Sequence, residues 1–329
     1  MSLPRRLVAL VVLMAVTAAP AVLWSLTVWP GTVSVAVYGL MVALPAMLLR
    51  GWTVAVPLWL AVSLTGPLAV ICSQWPAAGA LLVVVAALLT GWSSTRGLHT
   101  TVMMWPIALG SLLVEPPPLF GSSQPTLDLG YAAGVGAVLA ASGLWGIVVG
   151  ALIGRRLTRP QRSSTAAPLA AAYTVVLVAA SGLSTWLVLR YGPGGTGAWV
   201  ILTVIVVLRP SPDELVRRSL QRAAGTLVGA AVAAAAVLVL PAGAVVMVAG
   251  LLAFALALAL MPTAPYWQYA AILTVAVVLM VSGGHDGLEV DLERVLYTLG
   301  GVLLVAVFSV VLAIAVRPPG RTTAGARKR

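Results

Sequence analysis

Twelve apolar runs joined by connectors too short to hold a folded domain dominate this chain. A helix crossing the hydrocarbon core of a bilayer needs about 20 mostly apolar residues. Such runs are read at roughly 7–27, 32–49, 53–72, 76–93, 98–114, 130–153, 168–189, 197–208, 223–240, 243–261, 266–283 and 295–316. The residues between them are rich in Gly and Pro. Of the 329 residues 61% are hydrophobic and only 8% charged, against about 25% charged in a soluble domain. A water-facing surface cannot be built from this supply of charge. Soluble enzymes, secreted disulfide scaffolds and disordered tails are excluded, and the expected fold is an all-α polytopic integral membrane protein.

The arrangement of charge orients the spans. With the N-terminus in the cytoplasm, 17 of the 19 basic residues fall in cytoplasmic segments, and only Arg190 and Arg294 fall outside. Six of the eight acids sort the other way: Glu115, Asp128, Asp286, Glu289, Asp291 and Glu293. Such sorting is the positive-inside pattern, and adding or removing one helix in the middle would scramble it. The sequence therefore predicts a multi-pass protein of the cytoplasmic membrane with both termini cytoplasmic. Arg5-Arg6, an apolar stretch and Thr17-Ala18-Ala19-Pro20-Ala21 have the outline of a cleavable signal peptide. The stretch is long, and its removal would leave an odd number of spans, so it is read as the first helix.

The residues needed for most site chemistries are missing. The one lysine is Lys328, which excludes a nucleotide-binding Gly-Lys-Ser/Thr loop and a buried Schiff base. Cys72 is alone, so no intrachain disulfide forms. His99 and His285 are too few for a histidine metal cluster. No nucleophile–base pair is visible, and neither a metal, a cofactor nor an enzymatic activity is expected. Arginines that punctuate apolar runs mark membrane topology rather than a nucleic-acid surface. No nucleic-acid partner is expected.

The basic loop Arg155–Arg162, followed by Ser163-Ser164-Thr165, divides the chain. It separates a first six-helix block (1–154) from a second (168–317), with a basic linker at 155–167 and a basic tail at 318–329. The second block repeats itself. Ile201–Leu208 matches Ile272–Leu279 at seven of eight positions. Downstream, Arg222-Ala-Ala-Gly225-Thr226-Leu-Val-Gly229 echoes Arg294-Val-Leu-Tyr-Thr298-Leu-Gly-Gly301. Three helices separate the copies, an odd number, so the copies run in opposite directions. An inverted three-helix repeat is a transporter feature, because one scaffold then reaches inward- and outward-facing forms of similar energy.

The run from Trp199 to Gly229 carries a resemblance. A Thr-Val-x-Val-Val-Leu helix, Arg209-Pro210-Ser211, and then Arg222-x-x-Gly225-Thr226-x-x-Gly229 resemble the membrane module of the fusaric-acid-resistance-like (FUSC) family. That family includes aromatic acid exporters and is related to plant aluminium-activated malate channels. The resemblance covers about residues 168–317 and implies export of aromatic or other organic carboxylates. The first block holds only loose echoes of the motif, Arg50-Gly51-Trp52-Thr53 and Arg96-Gly97-Leu98-His99.

Several residues are candidates for contact with such a substrate. Arg222 is expected to open the ninth helix, where free N–H groups and the helix dipole favour an anion, and its guanidinium suits a two-pronged grip on a carboxylate. The competing reading is a topology anchor. Arg294 is its counterpart on the opposite side, neutralised on the competing reading by Asp291 or Glu293. Thr203, Thr226, Thr274 and Thr298 could replace lost hydration. The eighth span holds only twelve apolar residues, and short spans often mark a binding site. Pro210, Gly225 and Gly229 complete the motif, the glycines as a close-packing face, as do Gly146, Gly150 and Gly154. Trp24, Trp29, Trp75, Trp105, Trp199 and Trp267 read first as interfacial anchors. Trp199 and Trp267 are also candidate walls for an aromatic substrate. No acid lies in the middle of a span, where a proton relay would usually have one.

The expected function is a secondary transporter exporting organic carboxylates. The rivals are an organic-anion channel and a non-transporting scaffold for envelope-building enzymes. The expected partners are the lipid bilayer and a small organic anion, with room for a homo-oligomer or an envelope partner protein. Reporter fusions after Arg162 and after Arg329 should both read cytoplasmic; a periplasmic signal at either breaks the twelve-span topology.

Overall fold

The computed structural model describes residues 3–29, 31–120, 128–154, 164–192, 197–210, 212–240, 244–260, 264–281, 296–297, 299–308 and 310. Among them every regular element is a helix. The helices are α1 (Leu3–Thr27), α2 (Thr32–Arg50), α3 (Trp52–Cys72), α4 (Pro76–Ser93), α5 (His99–Val102), α6 (Met104–Val114) and α7 (Leu129–Gly154). They continue with α8 (Ala167–Tyr191), α9 (Ala198–Val207), α10 (Pro212–Val239), α11 (Ala244–Leu260), α12 (Tyr266–Val281) and α13 (Leu299–Phe308). Six helices are long and apolar enough to cross a membrane. This is a multi-pass membrane protein.

Each apolar run is helical at its core, with two departures. The run at 98–114 is broken into α5 and α6. Pro106 lacks an N–H and its ring crowds the carbonyl four residues back, at Val102, which is where α5 stops. The second departure is the start of α10. Hydropathy puts it at residue 223, yet the helix begins at Pro212, because Pro suits the first helical position. Its first turns, Pro-Asp-Glu-Leu-Val-Arg-Arg, are too polar to register as a span. By contrast, the shortness expected of the eighth span is real. Helix α9 has 10 residues, about 15 Å at 1.5 Å per residue, and Pro210 soon after its end cannot extend it.

Two glycines shape the end of the bundle where α2 and α4 finish. Gly51, with φ 83° and ψ −170°, adopts a conformation open essentially to glycine alone, and its N–H donates to the carbonyls of Ala46 and Met47. Gly97 is left-handed at φ 64° and donates to the Ser94 carbonyl. Each follows an arginine in sequence.

The largest apolar core joins α2, α3, α6 and α7 around Val42, Leu58, Leu109, Leu112 and Leu139, all buried. Helices from either side of the 155–167 linker pack against each other. Helix α4 packs along α8, with Gly91 against Thr174 and Gly182 against Val84. Gly110 of α6 sits against Ile201 of α9. Gly146 and Gly150 of α7 lie against Leu44 and Met47 of α2, as a small-residue face should.

The two copies of the repeated octapeptide lie in α9 and α12, and their contacts match pairwise. A Cβ on Gly229 of α10 would meet the Ala271 carbonyl and lie 2.7 Å from Thr274 Cβ. A Cβ on Gly301 of α13 would lie 3.2 Å from the Val200 carbonyl and 2.9 Å from Thr203 Cβ. In the alignment of the copies Gly229 corresponds to Gly301, Thr274 to Thr203 and Ala271 to Val200. Gly225 meets Trp267 and Ala270 one turn earlier in both helices, so α10 and α12 run parallel. Val305 joins Val204, Val207 and Leu208, so α13 runs parallel to α9. Two parallel pairs thus cross through equivalent Thr–Gly contacts.

Side-chain bulk tests this register, because a Cβ at Gly229 or Gly301 would lie under 3.0 Å from the threonine Cβ of the facing helix. Gly229→Leu and Gly301→Leu should each lower the melting temperature of the purified protein, whereas Gly300→Leu, whose Cβ position has nothing within 4 Å among the described residues, should leave it nearly unchanged. Equal melting temperatures in all three variants contradict the reciprocal packing.

Candidate functional site

Polar groups collect where the ends of α2 and α9 meet the starts of α5 and α10. Arg50, the last residue of α2, is only 8% exposed, and its Nη2 donates to the Gly97 carbonyl at 3.2 Å. Placing a cation at a helix C-terminus is favourable by itself. His99 opens α5, is buried, and packs edge-to-face on Tyr173 with ring centroids 6.1 Å apart. The charges of Arg209, Arg218 and Arg50 all reach the His99 ring. Arg209, just past α9, is buried as well.

Along α10 the cluster continues inward. The Arg218 guanidinium lies 5.1 Å over the centre of the Tyr266 ring, a cation–π contact. Tyr266 and Tyr269 are 6.0 Å apart, and the charge of Arg222 acts on Tyr269. Arg222 is one turn beyond Arg218 and only 2% exposed. Its Nε has no hydrogen-bond partner among the described residues. The same holds for Arg218 Nε, Tyr266 OH, Thr226 Oγ1, Thr203 Oγ1 and His99 Nδ1. Buried polar groups are nearly always paired, so a concentration of unpaired donors around arginines is a place where an outside oxyanion would complete the bonding.

Several sequence expectations change here. Arg222 does not open its helix, because α10 starts at Pro212. Its neighbouring N–H groups are already used within the helix, and its value to an anion lies in the guanidinium alone. Thr226 lies one turn beyond it on the same face, buried. Thr203 is also buried, whereas Thr274 spends its hydroxyl on the Ala270 carbonyl at 2.8 Å. Gly225 and Gly229 are packing positions against α12, and Pro210 is buried beside Arg209. Trp267 is 39% exposed and meets α10 through its backbone carbonyl. Trp199 stands at the other end of α9 from Arg209. Trp105 is no interfacial anchor: it is buried, with Nε1 donating to Thr65 Oγ1 at 2.9 Å. Arg294 and Thr298 lie outside the described residues.

What local motifs did not single out is the contribution of the first block. Arg50 and His99 stand in the two loose echoes, Arg50-Gly51 and Arg96-Gly97-Leu98-His99. The glycine after each arginine was the one available signal. At the opposite end of α6 and α8 is a cleft lined by Ser73, Leu113, Val114, Pro116, Val188, Leu189 and Gly192, which carries no charged side chain.

Residues 180–308 match the family model described as fusaric acid resistance protein-like. The matched segment runs from the second half of α8 through α13 and includes the whole Trp199–Gly229 run on which the resemblance rested. No curated protein and no solved structure matches the chain.

Proposed function

We propose that this chain is a secondary transporter that exports aromatic or other organic carboxylates across the cytoplasmic membrane. The observation that carries the reading is Arg222: a guanidinium 2% exposed, with Nε unpartnered among the described residues, held between helices of the family-matched segment. A topology anchor has no need of such burial. Positive-inside anchoring is satisfied by any cation near the interface, and exposed Arg217 supplies one on the same helix.

On this reading the chain has twelve spans, and the basic cluster is the cytoplasmic mouth. Thr203 and Thr226 present hydroxyls that replace hydration as the anion moves inward. The reciprocal Thr–Gly crossings support the inverted repeat. They give each half of the second block the same contact, so two access states can differ by small rotations of one pair of helices against the other. In the sequence repeat Arg294 and Thr298 correspond to Arg222 and Thr226.

Counterflow of labelled benzoate in proteoliposomes tests the reading. Wild type should show transient accumulation against preloaded benzoate, which a channel does not give. Arg222→Lys keeps the charge but loses the planar fork, so flux should drop by roughly tenfold or more, the value of a charged hydrogen bond. Arg222→Gln should abolish it at matched expression. Equal flux in all three returns Arg222 to the role of anchor; no flux of any organic acid favours a scaffold.

A further inference from the structure

Helices α10 and α12 run parallel and in contact, and the contact fixes their register. A Cβ on Gly225 would lie 2.8 Å from Ala270 Cβ and 3.1 Å from the Ala271 nitrogen, and one on Gly229 would lie 2.7 Å from Thr274 Cβ. One turn toward the start of α10, the same register sets Arg222 against the start of α12, whose first residue is Tyr266. Arg218 is one turn further back, and its guanidinium lies 5.1 Å over the centre of the Tyr266 ring. Tyr269, on the next turn of α12, backs that ring, with centroids 6.0 Å apart and planes tilted by 35°.

The ring and the hydroxyl of Tyr266 are in different situations. The ring is engaged by Arg218 on its face and by Tyr269 beside it. The hydroxyl is buried and has no hydrogen-bond partner among the described residues, although buried tyrosine hydroxyls usually find one. Across the helix pair Arg222, only 2% exposed, has its Nε in the same condition. Two unused donors, one charged and one neutral, therefore stand at one level of two helices locked together by Gly225 and Gly229. Tyr266 also opens a helix of 16 residues, and a helix start favours an anion.

We infer that Tyr266 is the second donor of the Arg222 site and a determinant of its specificity. Its hydroxyl donates to the anion that Arg222 holds, while its ring keeps Arg218 in place by the cation–π contact. An anion bound there bridges α10 and α12 and needs acceptor oxygens toward both helices. The inference rests on the transport reading for the identity of the anion. What it adds is a residue with two separable tasks, since Tyr266→Phe removes the donor and keeps the ring.

Thermal stabilisation of the purified full-length protein by benzoate, in uncharged detergent, tests the assignment. A ligand that binds the folded state raises the melting temperature according to its affinity. Tyr266→Phe should weaken benzoate binding by about tenfold or more, the loss of one hydrogen bond to a charged group. The melting temperature of the empty variant should equal or exceed that of wild type, because a hydroxyl without a partner stabilises nothing when no ligand is bound. Tyr266→Leu removes the ring as well and should lower both. Tyr191→Phe, at the far end of α8, should change neither. Unchanged benzoate affinity in Tyr266→Phe overturns the inference, and so does a lower melting temperature or failure to fold in the empty Phe variant, which would give the hydroxyl a structural partner. Absence of benzoate binding to wild type overturns it too. Titration in nanodiscs separates a soluble anion from a lipid headgroup. Wild-type affinity should be the same in phosphatidylcholine with or without phosphatidylglycerol; a fall on adding phosphatidylglycerol that Tyr266→Phe removes gives the site to the lipid and overturns the inference. Counterflow with no effect of Tyr266→Phe defeats this inference alone, whereas Tyr266-dependent binding without flux defeats the transport reading alone.

Discussion

Desolvation of guanidinium groups is the constraint around which this bundle is arranged. Moving an ion out of water costs about several kcal/mol even after relaxation, and Arg50, Arg209 and Arg222 are each nearly removed from solvent. Helix geometry offsets part of this. Arg50 sits on a C-terminus and donates to a carbonyl, and Arg218 lies over an aromatic face. On the proposed reading an anion completes the bonding that Arg222 Nε lacks among the described residues. A site that is electrostatically incomplete in the empty protein attracts an anion more strongly than one already paired, and an apolar surround keeps that attraction from being screened.

The apolar part of the structure serves to hold those cations in register. Gly91 and Gly182 let α4 and α8 approach closely, and Gly110 does the same for α6 and α9. These contacts seat Arg50 and His99, from the first half of the chain, opposite Arg209 and Arg218, from the second. On the other side of α10, Gly225 and Gly229 admit α12, bringing Tyr266 and Tyr269 beside Arg218 and Arg222. Small residues therefore act on the site indirectly: each shortens an interhelical distance and so decides which side chains meet. Since lipid tails are as apolar as leucine, such close packing rather than hydrophobic burial is what associates helices in a bilayer.

Much of the helical layout was legible because a membrane fixes how long an apolar run must be. The start of α10 was missed for the same reason, since its first turns are amphipathic and polar. The break between α5 and α6 follows from Pro106, a local signal that hydropathy averages away. Arg222 and its threonines stood out because a repeat and a family resemblance marked them. Arg50 and His99 did not, because what matters about them is convergence with Arg209 and Arg218 over long sequence separations, and no local motif encodes that. Trp267 illustrates the converse limit. An aromatic residue at a helix start reads alike whether its ring faces a substrate or lipid, and in the structure Trp267 is 39% exposed.

A structure of the full chain bound to a brominated benzoate would examine the central claim most directly, because anomalous scattering locates the ligand without assuming a site. The account places the bromine within reach of Arg222, between α10 and the start of α12. Bromine found only along the lipid-facing surface, or only in the cleft lined by Leu113 and Val188 at the opposite end, would contradict it.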